Sequence, residues 1–336
     1  MDPDEVRAAW DRAAARAAAP GEPPTCGAEG ETCGAPATLF GVPAATDIEG
    51  LEGAAAAVLG IPYAAFDPGM TEGPAAVRAW SVASWGPQRS PSPAAERRRD
   101  VLERLTVVDA GDVDVDAGDV EATFMRAHDA VADILAAGAV PVVFGGDHCV
   151  SVPVLQVLAG KLAGRLGIVV FDAGLDVGFT PRYQAGSQWA RIFELGIVEP
   201  ANFVEVGIRD ASVTTLDRFV ADELGIRFFS LTEIDELGIV AVAQDALEAA
   251  ATGTEALYVS IDLDVAEPCC GGLEASANAG LSARDILRAV RTLAGSRVAG
   301  LDVCGLAPRC DPQGRLARLA AGAALEVLAG LAAQRP

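Results

Sequence analysis

Four aspartates and one histidine follow apolar runs in this sequence, at spacings suited to holding a cation and activating water. The run Val142–Phe144 leads into Gly145-Gly146-Asp147-His148, and Ile168–Phe171 leads into Asp172-Ala173-Gly174-Leu175-Asp176. Tyr258–Ile261 leads into Asp262-Leu263-Asp264. Asp262 and Asp264 are two residues apart and share a face of a continuing strand, whereas Asp172 and Asp176 are separated by a turn. Taken singly, each pair is the ordinary capping aspartate of a strand end or turn. Taken together, clustered carboxylates cannot all stay ionised unaided, so the group needs a cation or shifted pKa values. An oxygen-rich set with one imidazole suits Mn²⁺ among the divalent metals.

The elements that must position these residues are legible as short apolar runs alternating with helical segments. The candidate strands are Ala55–Ile61, Leu105–Val108, Val140–Phe144, Ile168–Phe171, Phe203–Ile208, Arg227–Phe229, Ala256–Ile261 and Val298–Val303. Helical periodicity marks Glu121–Ala137, Asp235–Ala251, Ser282–Leu293 and Arg315–Ala332. Strands that are apolar throughout and alternate with helices predict a parallel sheet covered on both faces. In such a sheet ligands gather outside the carboxyl ends of the strands, where all five residues would meet. The acidic stretch Asp109–Asp119 is expected to be a solvated loop, because calcium-loop spacing is missing. Residues 1–37 read as an N-terminal helix and a Pro/Gly-rich arm, and residues 38–336 as one α/β domain.

Composition narrows the partners. The chain has 336 residues, 51% hydrophobic, which is ample for one large core. Its 47 acidic and 25 basic side chains give a net charge of −22, which repels nucleic acid and anionic membrane and favours metal ions or cationic ligands. No uncharged apolar run reaches the roughly 18 residues of a membrane span, and the opening residues lack the pattern of a signal peptide. Seven cysteines without paired or zinc-like spacing fit a reduced, cytoplasmic protein, with Cys26 and Cys33 free.

The motifs Gly-Gly-Asp-His148, Asp172-Ala-Gly-Leu-Asp176 and Ser260-Ile-Asp-Leu-Asp264 together resemble those of the ureohydrolase family of arginases, agmatinases and formiminoglutamases. Thr38-Leu-Phe-Gly-Val-Pro43, Asp47-Ile-Glu-Gly50, Ala57-Val-Leu-Gly-Ile-Pro62 and Gly207-Ile-Arg209 are similar to the agmatinase branch. The resemblance implies a single three-layer α/β domain around an eight-stranded parallel sheet, assembled as trimers or hexamers. It also implies two Mn²⁺ ions that activate water against a guanidinium carbon. Carried over by position, His148, Asp172, Asp176 and Asp262 hold the first ion, and Asp264 joins Asp172 and Asp262 at the second.

Three family positions are altered. The second ion's histidine falls at Gly174, the acid/base histidine at Ala185, and the glutamate that grips the guanidinium at Gly305. The Pro-Gly turn expected after Asp264 is replaced around Gly272-Leu273. These losses predict one Mn²⁺ ion rather than two and disfavour agmatine and arginine. The expected function is hydrolysis of a non-peptide C–N bond in another small guanidino or amidino substrate. Asp264, partly released from the second metal, is the candidate general base. The alternative is a catalytically silent homologue acting as a scaffold or as partner to a paralogous subunit.

Other residues receive plainer readings. His128 is a core or helix-face histidine, and adjacent residues diverge too far for Cys149 and His148 to form a catalytic pair. Cys269, Cys270 and Cys304 are packing thiols, with a soft ligand replacing the missing imidazole as the sharper alternative. Trp189 is read as lining the substrate pocket or filling the core beside it. Arg182 and Arg191 are surface charges or selectors of an anionic substrate group.

Overall fold

The computed structural model describes residues 37–65, 67–85, 93–116, 118–162, 166–178, 183–209, 213–267 and 279–335. The apolar runs form eight strands: β1 (Ala56–Ile61), β2 (Val107–Asp112), β3 (Val140–Gly145), β4 (Leu166–Phe171), β5 (Phe203–Ile208), β6 (Arg227–Ser230), β7 (Ala256–Asp262) and β8 (Val298–Cys304). They make one sheet in the order β2-β1-β3-β8-β7-β4-β5-β6, with every neighbouring pair parallel. The four central strands β3, β8, β7 and β4 are therefore adjacent. The candidate ligand motifs stand at the carboxyl ends of β3, β7 and β4.

Helices cover both faces, which is why the central strands are apolar along most of their length. One face is packed by α1 (Gly73–Trp85), α2 (Pro93–Arg104), α3 (Leu231–Leu237), α4 (Ile239–Ala251), α5 (Ala283–Leu293) and α6 (Arg315–Ala333). The other is packed by α7 (Val120–Ala136), α8 (Ser151–Lys161), α9 (Gln188–Glu194) and α10 (Thr215–Leu224). In α5, Ile286, Ala289, Val290 and Leu293 are buried at helical spacing, and Ser282 caps the first turn by accepting from the Asp285 amide. Helix α6 is long and apolar enough to cross a membrane, but its side chains fill the core of this fold.

Two expectations are corrected. The helix expected over Asp235–Ala251 is two helices, because Gly238 at φ +83 leaves the helical region between them, and Ser230 and Glu233 form a capping box at the start of α3. The acidic stretch from Asp109 is not wholly a solvated loop, since β2 continues through Asp112. Arg78, buried on α1, explains the difference. Its Nε and Nη2 donate to the two oxygens of Asp109, each at 2.9 Å, and Nη1 pairs with Asp112. Asp109 Oδ2 also accepts from the Leu39 amide at 2.8 Å, and the Asp109 backbone is bonded to Pro43 and Ala45. A bidentate buried pair thus anchors the sheet edge to α1 and to the segment that enters the domain.

The N-terminal helix and arm lie outside the described residues. Replacing Asp109 by Ala should leave Arg78 without its bidentate partner and destabilise the fold by about 3–5 kcal/mol. Urea unfolding of the two proteins measures this difference, and an unchanged midpoint would remove the pair from its anchoring role.

Candidate metal centre

The site begins at the carboxyl end of β3. Asp147 caps the short turn His148–Val150, its Oδ1 accepting from the Cys149 amide at 3.1 Å and its Oδ2 from Ala65 at 2.6 Å. This turn drives His148 fully into the interior. There Nε2 lies 2.7 Å from Ser260 Oγ on β7. Ser260 Oγ donates its proton to Asp302 Oδ1 on β8 at 2.5 Å, and the Tyr258 hydroxyl donates to Asp302 Oδ2 at 2.6 Å. With its own proton committed, Ser260 accepts from His148 Nε2–H. In its neutral form the imidazole then presents its lone pair at Nδ1.

That lone pair points among carboxylates. Nδ1 is 3.0 Å from Asp172 Oδ2 at the end of β4 and 3.5 Å from Asp262 Oδ2 at the end of β7. Beyond each other, Nδ1 and Asp172 Oδ2 have no hydrogen-bond partner, although both are buried. Ligand atoms of His148, Asp172 and Asp262 all lie within 4.8 Å of one another. Among the described residues this is the single group so arranged. Buried polar atoms need partners, and a shared divalent cation satisfies all three residues at once. The donor set therefore fits one metal ion.

The electrostatics point the same way. Burial opposes a charge on His148, but Asp172, through a hydrogen bond to Nδ1 and its charge, outweighs it with Asp262 and Asp302 and lifts the imidazole to about 10. A cation would therefore take the place of the Nδ1 proton. Burial, then Asp176 and Asp264, push the Asp172 carboxyl well above the ordinary range. Burial also raises Asp176 and Asp262. Asp264 is pushed up to about 7 by burial and by Asp262, against the pull of the Ala173 amide and Arg209. These shifts belong to carboxylates facing one another with only an imidazole between them.

The remaining residues singled out in the sequence are placed as follows. Asp176 and Asp264 adjoin the group but fall outside its three members. Asp176 Oδ2 accepts from Gln188 Nε2 at 2.6 Å, and Asp264 Oδ1 accepts from the Ala173 amide at 3.1 Å. Arg209 donates to the backbone carbonyls of Asp264 and Ala279, at 2.8 and 2.5 Å. Gly174 donates its amide to Asp172 Oδ1 at 2.9 Å. Gly305 has φ +84, and a Cβ built there would stand 2.4 Å from Asp262 Oδ1. Ala185 is half-buried in the turn before α9.

Trp189 is completely buried, edge-on to His148 at 5.2 Å and against Phe203 at 5.1 Å, so it backs the imidazole instead of facing the crevice. Arg191 pairs with Glu194 at 2.7 Å and lies over the Tyr183 ring. His128 is on an exposed helix face beside Asp129. Cys149 and Cys304 are buried thiols outside the metal group. Arg182, Cys26, Cys33, Cys269, Cys270 and the turn around Gly272-Leu273 lie outside the described residues.

Several residues emerge only from the structure. Ser260, Asp302 and Tyr258 complete the support of His148, and Gln188 engages Asp176. Their signal was polarity inside apolar strands, since Tyr258, Ser260 and Asp262 share one face of β7 and Ser260 pairs with Asp302 across the ladder. Glu205 on β5 is fully buried, and neither of its oxygens has a partner. Burial, followed by Asp172, Asp176 and Asp217, pushes its carboxyl well above the usual range.

Comparison with known proteins places this geometry in context. Residues 54–330 match the arginase family. The guanidinopropionase of Pseudomonas aeruginosa is 32% identical over 232 residues, covering 67% of this chain and 71% of that protein. The structure of proclavaminate amidino hydrolase from Streptomyces clavuligerus superposes with a TM-score of 0.76 at 27% identity, covering 89% of this chain and 98% of that one. A hypothetical agmatinase from Burkholderia thailandensis gives 0.78 at 27% identity, covering 90% and 92%.

Two outcomes follow from the site's physics. Ser260→Ala removes the acceptor that fixes the His148 tautomer and should weaken Mn²⁺ binding about 10–100-fold, as read by titration calorimetry. Glu205 has a raised carboxyl in the fold. Its contribution to stability is fully present below the ordinary glutamate range and is lost as pH rises above it. Glu205→Gln should therefore raise the melting temperature at pH 8 more than at pH 5, and an equal shift at both would contradict a buried acid.

Proposed function

Because this chain belongs to the arginase family, we propose that it is a metal-dependent hydrolase of a non-peptide C–N bond in a small guanidino or amidino substrate other than agmatine or arginine. The observation that carries the reading is the buried pair of His148 Nδ1 and Asp172 Oδ2, with no partner but each other, converging with Asp262. The oxygen-rich donor set suits Mn²⁺, one ion per chain. Bound there, Mn²⁺ would polarise and acidify water for attack on the substrate carbon. The names of two similar proteins, guanidinopropionase and proclavaminate amidino hydrolase, favour guanidino and amidino chemistry.

The chain's own residues divide the remaining work. Ser260 and Asp302 hold the imidazole in the tautomer that offers Nδ1. Asp264 Oδ1 is tied to the Ala173 amide, which leaves Oδ2 to take a proton from the attacking water. As the new C–O bond forms and the C–N bond breaks, that proton passes to the departing nitrogen. Arg209 fixes the Asp264 carbonyl and so the placement of the base. Gly305 supplies no anion for a guanidinium, and Asp262 Oδ1 stands where its side chain would begin. That arrangement is the reason to look beyond agmatine and arginine.

The test is urea and ammonia release by metal-depleted protein given Mn²⁺, across guanidino acids, amidino compounds, agmatine and arginine. Mn²⁺-dependent product is expected from a guanidino or amidino compound and not from agmatine or arginine. Asp264→Asn should lower that turnover by about 10²–10⁴ while one ion still binds. Bound Mn²⁺ with no product from any compound would overturn the catalytic reading in favour of a silent scaffold or partner subunit.

A further inference from the structure

At the carboxyl end of β2, on the edge of the sheet, a cavity of about 310 Å³ opens between residues 45–51 and α7. It stands apart from the metal centre, because β1 separates β2 from β3 and the turn that carries His148. Leu51, Leu59, Val113 and Ile134 form its apolar floor, and all four are otherwise buried. Its walls are fixed by the fold. Ala45 donates its amide to the Asp109 carbonyl at 2.8 Å, which ties one wall to β2, and Asp109 is itself gripped by Arg78. The Gly50 amide donates to Asp47 Oδ1 at 2.9 Å, and Asp119 caps the first turn of α7. A preformed cavity of this size with an apolar floor suits a small ligand.

The rim decides the chemistry of that ligand. Asp47, Asp112, Asp114 and Asp133 line it, against one basic side chain, Arg126. Two of the four carboxylates are accounted for. Asp112 pairs with Arg78 from α1, and Arg126 Nη1 donates to the Asp114 carbonyl at 3.1 Å and lies 3.8 Å from its Oδ2. Asp47 and Asp133 form no ion pair among the described residues, and they stand on the two walls, one in residues 45–51 and the other on α7. Apolar surface between two uncompensated carboxylates complements an aliphatic chain with an ammonium group at each end. We propose that this cavity binds linear aliphatic diammonium compounds, with Asp47 and Asp133 holding the two ends and Leu51, Leu59 and Ile134 carrying the methylene chain. An anion would meet net repulsion at the rim. A neutral alkyl ligand would fill the cavity without giving either carboxylate a partner.

The proposal does not rest on the cluster at His148, and its test separates the two. Titration calorimetry of the full chain in the presence of Mn²⁺ should show one saturable site per chain for cadaverine, a linear diamine with terminal ammonium groups. Asp47→Asn and Asp133→Asn should each weaken it about three- to tenfold, and the double variant about ten- to a hundredfold. The monoamine n-pentylamine should lose about as much as a single variant. Ala130→Phe, which fills the cavity from α7, should abolish binding, and the exposed aspartate positions keep the test intact if that variant fails to fold. Equal weakening by Asp222→Asn/Glu223→Gln on α10 would overturn the proposal, since it would mean diffuse attraction to a chain of net charge −22. Loss of binding in Asp172→Asn would overturn it by placing the diamine in the metal crevice. Absence of saturable binding by the wild type would remove the site altogether.

Discussion

Mutual repulsion among carboxylates at the ends of β4 and β7 is the constraint on which the rest of this site depends. Two unit charges about 4 Å apart in a protein of effective dielectric 20 repel by about 4 kcal/mol. Asp172, Asp176, Asp262 and Asp264 share one small buried region, so several such contributions would accumulate if all were ionised and unpaired. The fold answers first with local donors. Gly174 donates to Asp172, Ala173 to Asp264, Gln188 to Asp176 and the Asp264 amide to Asp262. Each of these bonds serves one oxygen lone pair and leaves others directed inward. What remains is a concentrated negative field around a single imidazole, and that field is the binding energy offered to a cation.

The scaffold that concentrates the charge is itself nearly free of polar groups. Central strands buried on both faces cannot hold charges along their length, so the charges collect at the carboxyl ends, where the chain turns. The exception is instructive. Tyr258, Ser260 and Asp302 lie within the strands, yet they satisfy one another and terminate at His148 Nε2. Asp302 is accommodated this deep because it accepts two hydroxyl bonds and reaches the imidazole through Ser260. Glu205 has no comparable set of partners. Burial and the neighbouring Asp172 and Asp176 hold its carboxyl toward the neutral form, and it adds no bond to the cluster.

The sheet and most of the cluster were legible in the sequence, for identifiable reasons. Fully apolar runs such as Val142–Phe144 and Ile168–Phe171 read as doubly covered strands, and the motifs after them fall where such a sheet gathers ligands. The edge was harder. Asp109 looks solvated in a stretch rich in aspartate, and only the approach of Arg78 from α1, distant in sequence, makes it a buried anchor. The break at Gly238 was hidden by continuous helical periodicity on both sides. Around the site, spacing identified who is present but not who is engaged. The Gln188 amide bond to Asp176 depends on the course of the turn before α9, which no local pattern encodes.

The altered positions also read differently once their surroundings are known. Simple loss of a side chain leaves space or an unpartnered neighbour behind it. At Gly305 the space is already filled, since a Cβ would press on Asp262 Oδ1, and the glycine amide is bonded to Gly146. Any larger residue there would have to displace a member of the metal cluster while also adopting φ +84. At Gly174 the backbone amide serves Asp172 directly. In the turn containing Ala185, the next residues bring Gly186 and Gln188 onto Asp176. The three positions thus border Asp262, Asp172 and Asp176 in turn, so the chain beside each is shaped around a carboxylate and not around an empty space.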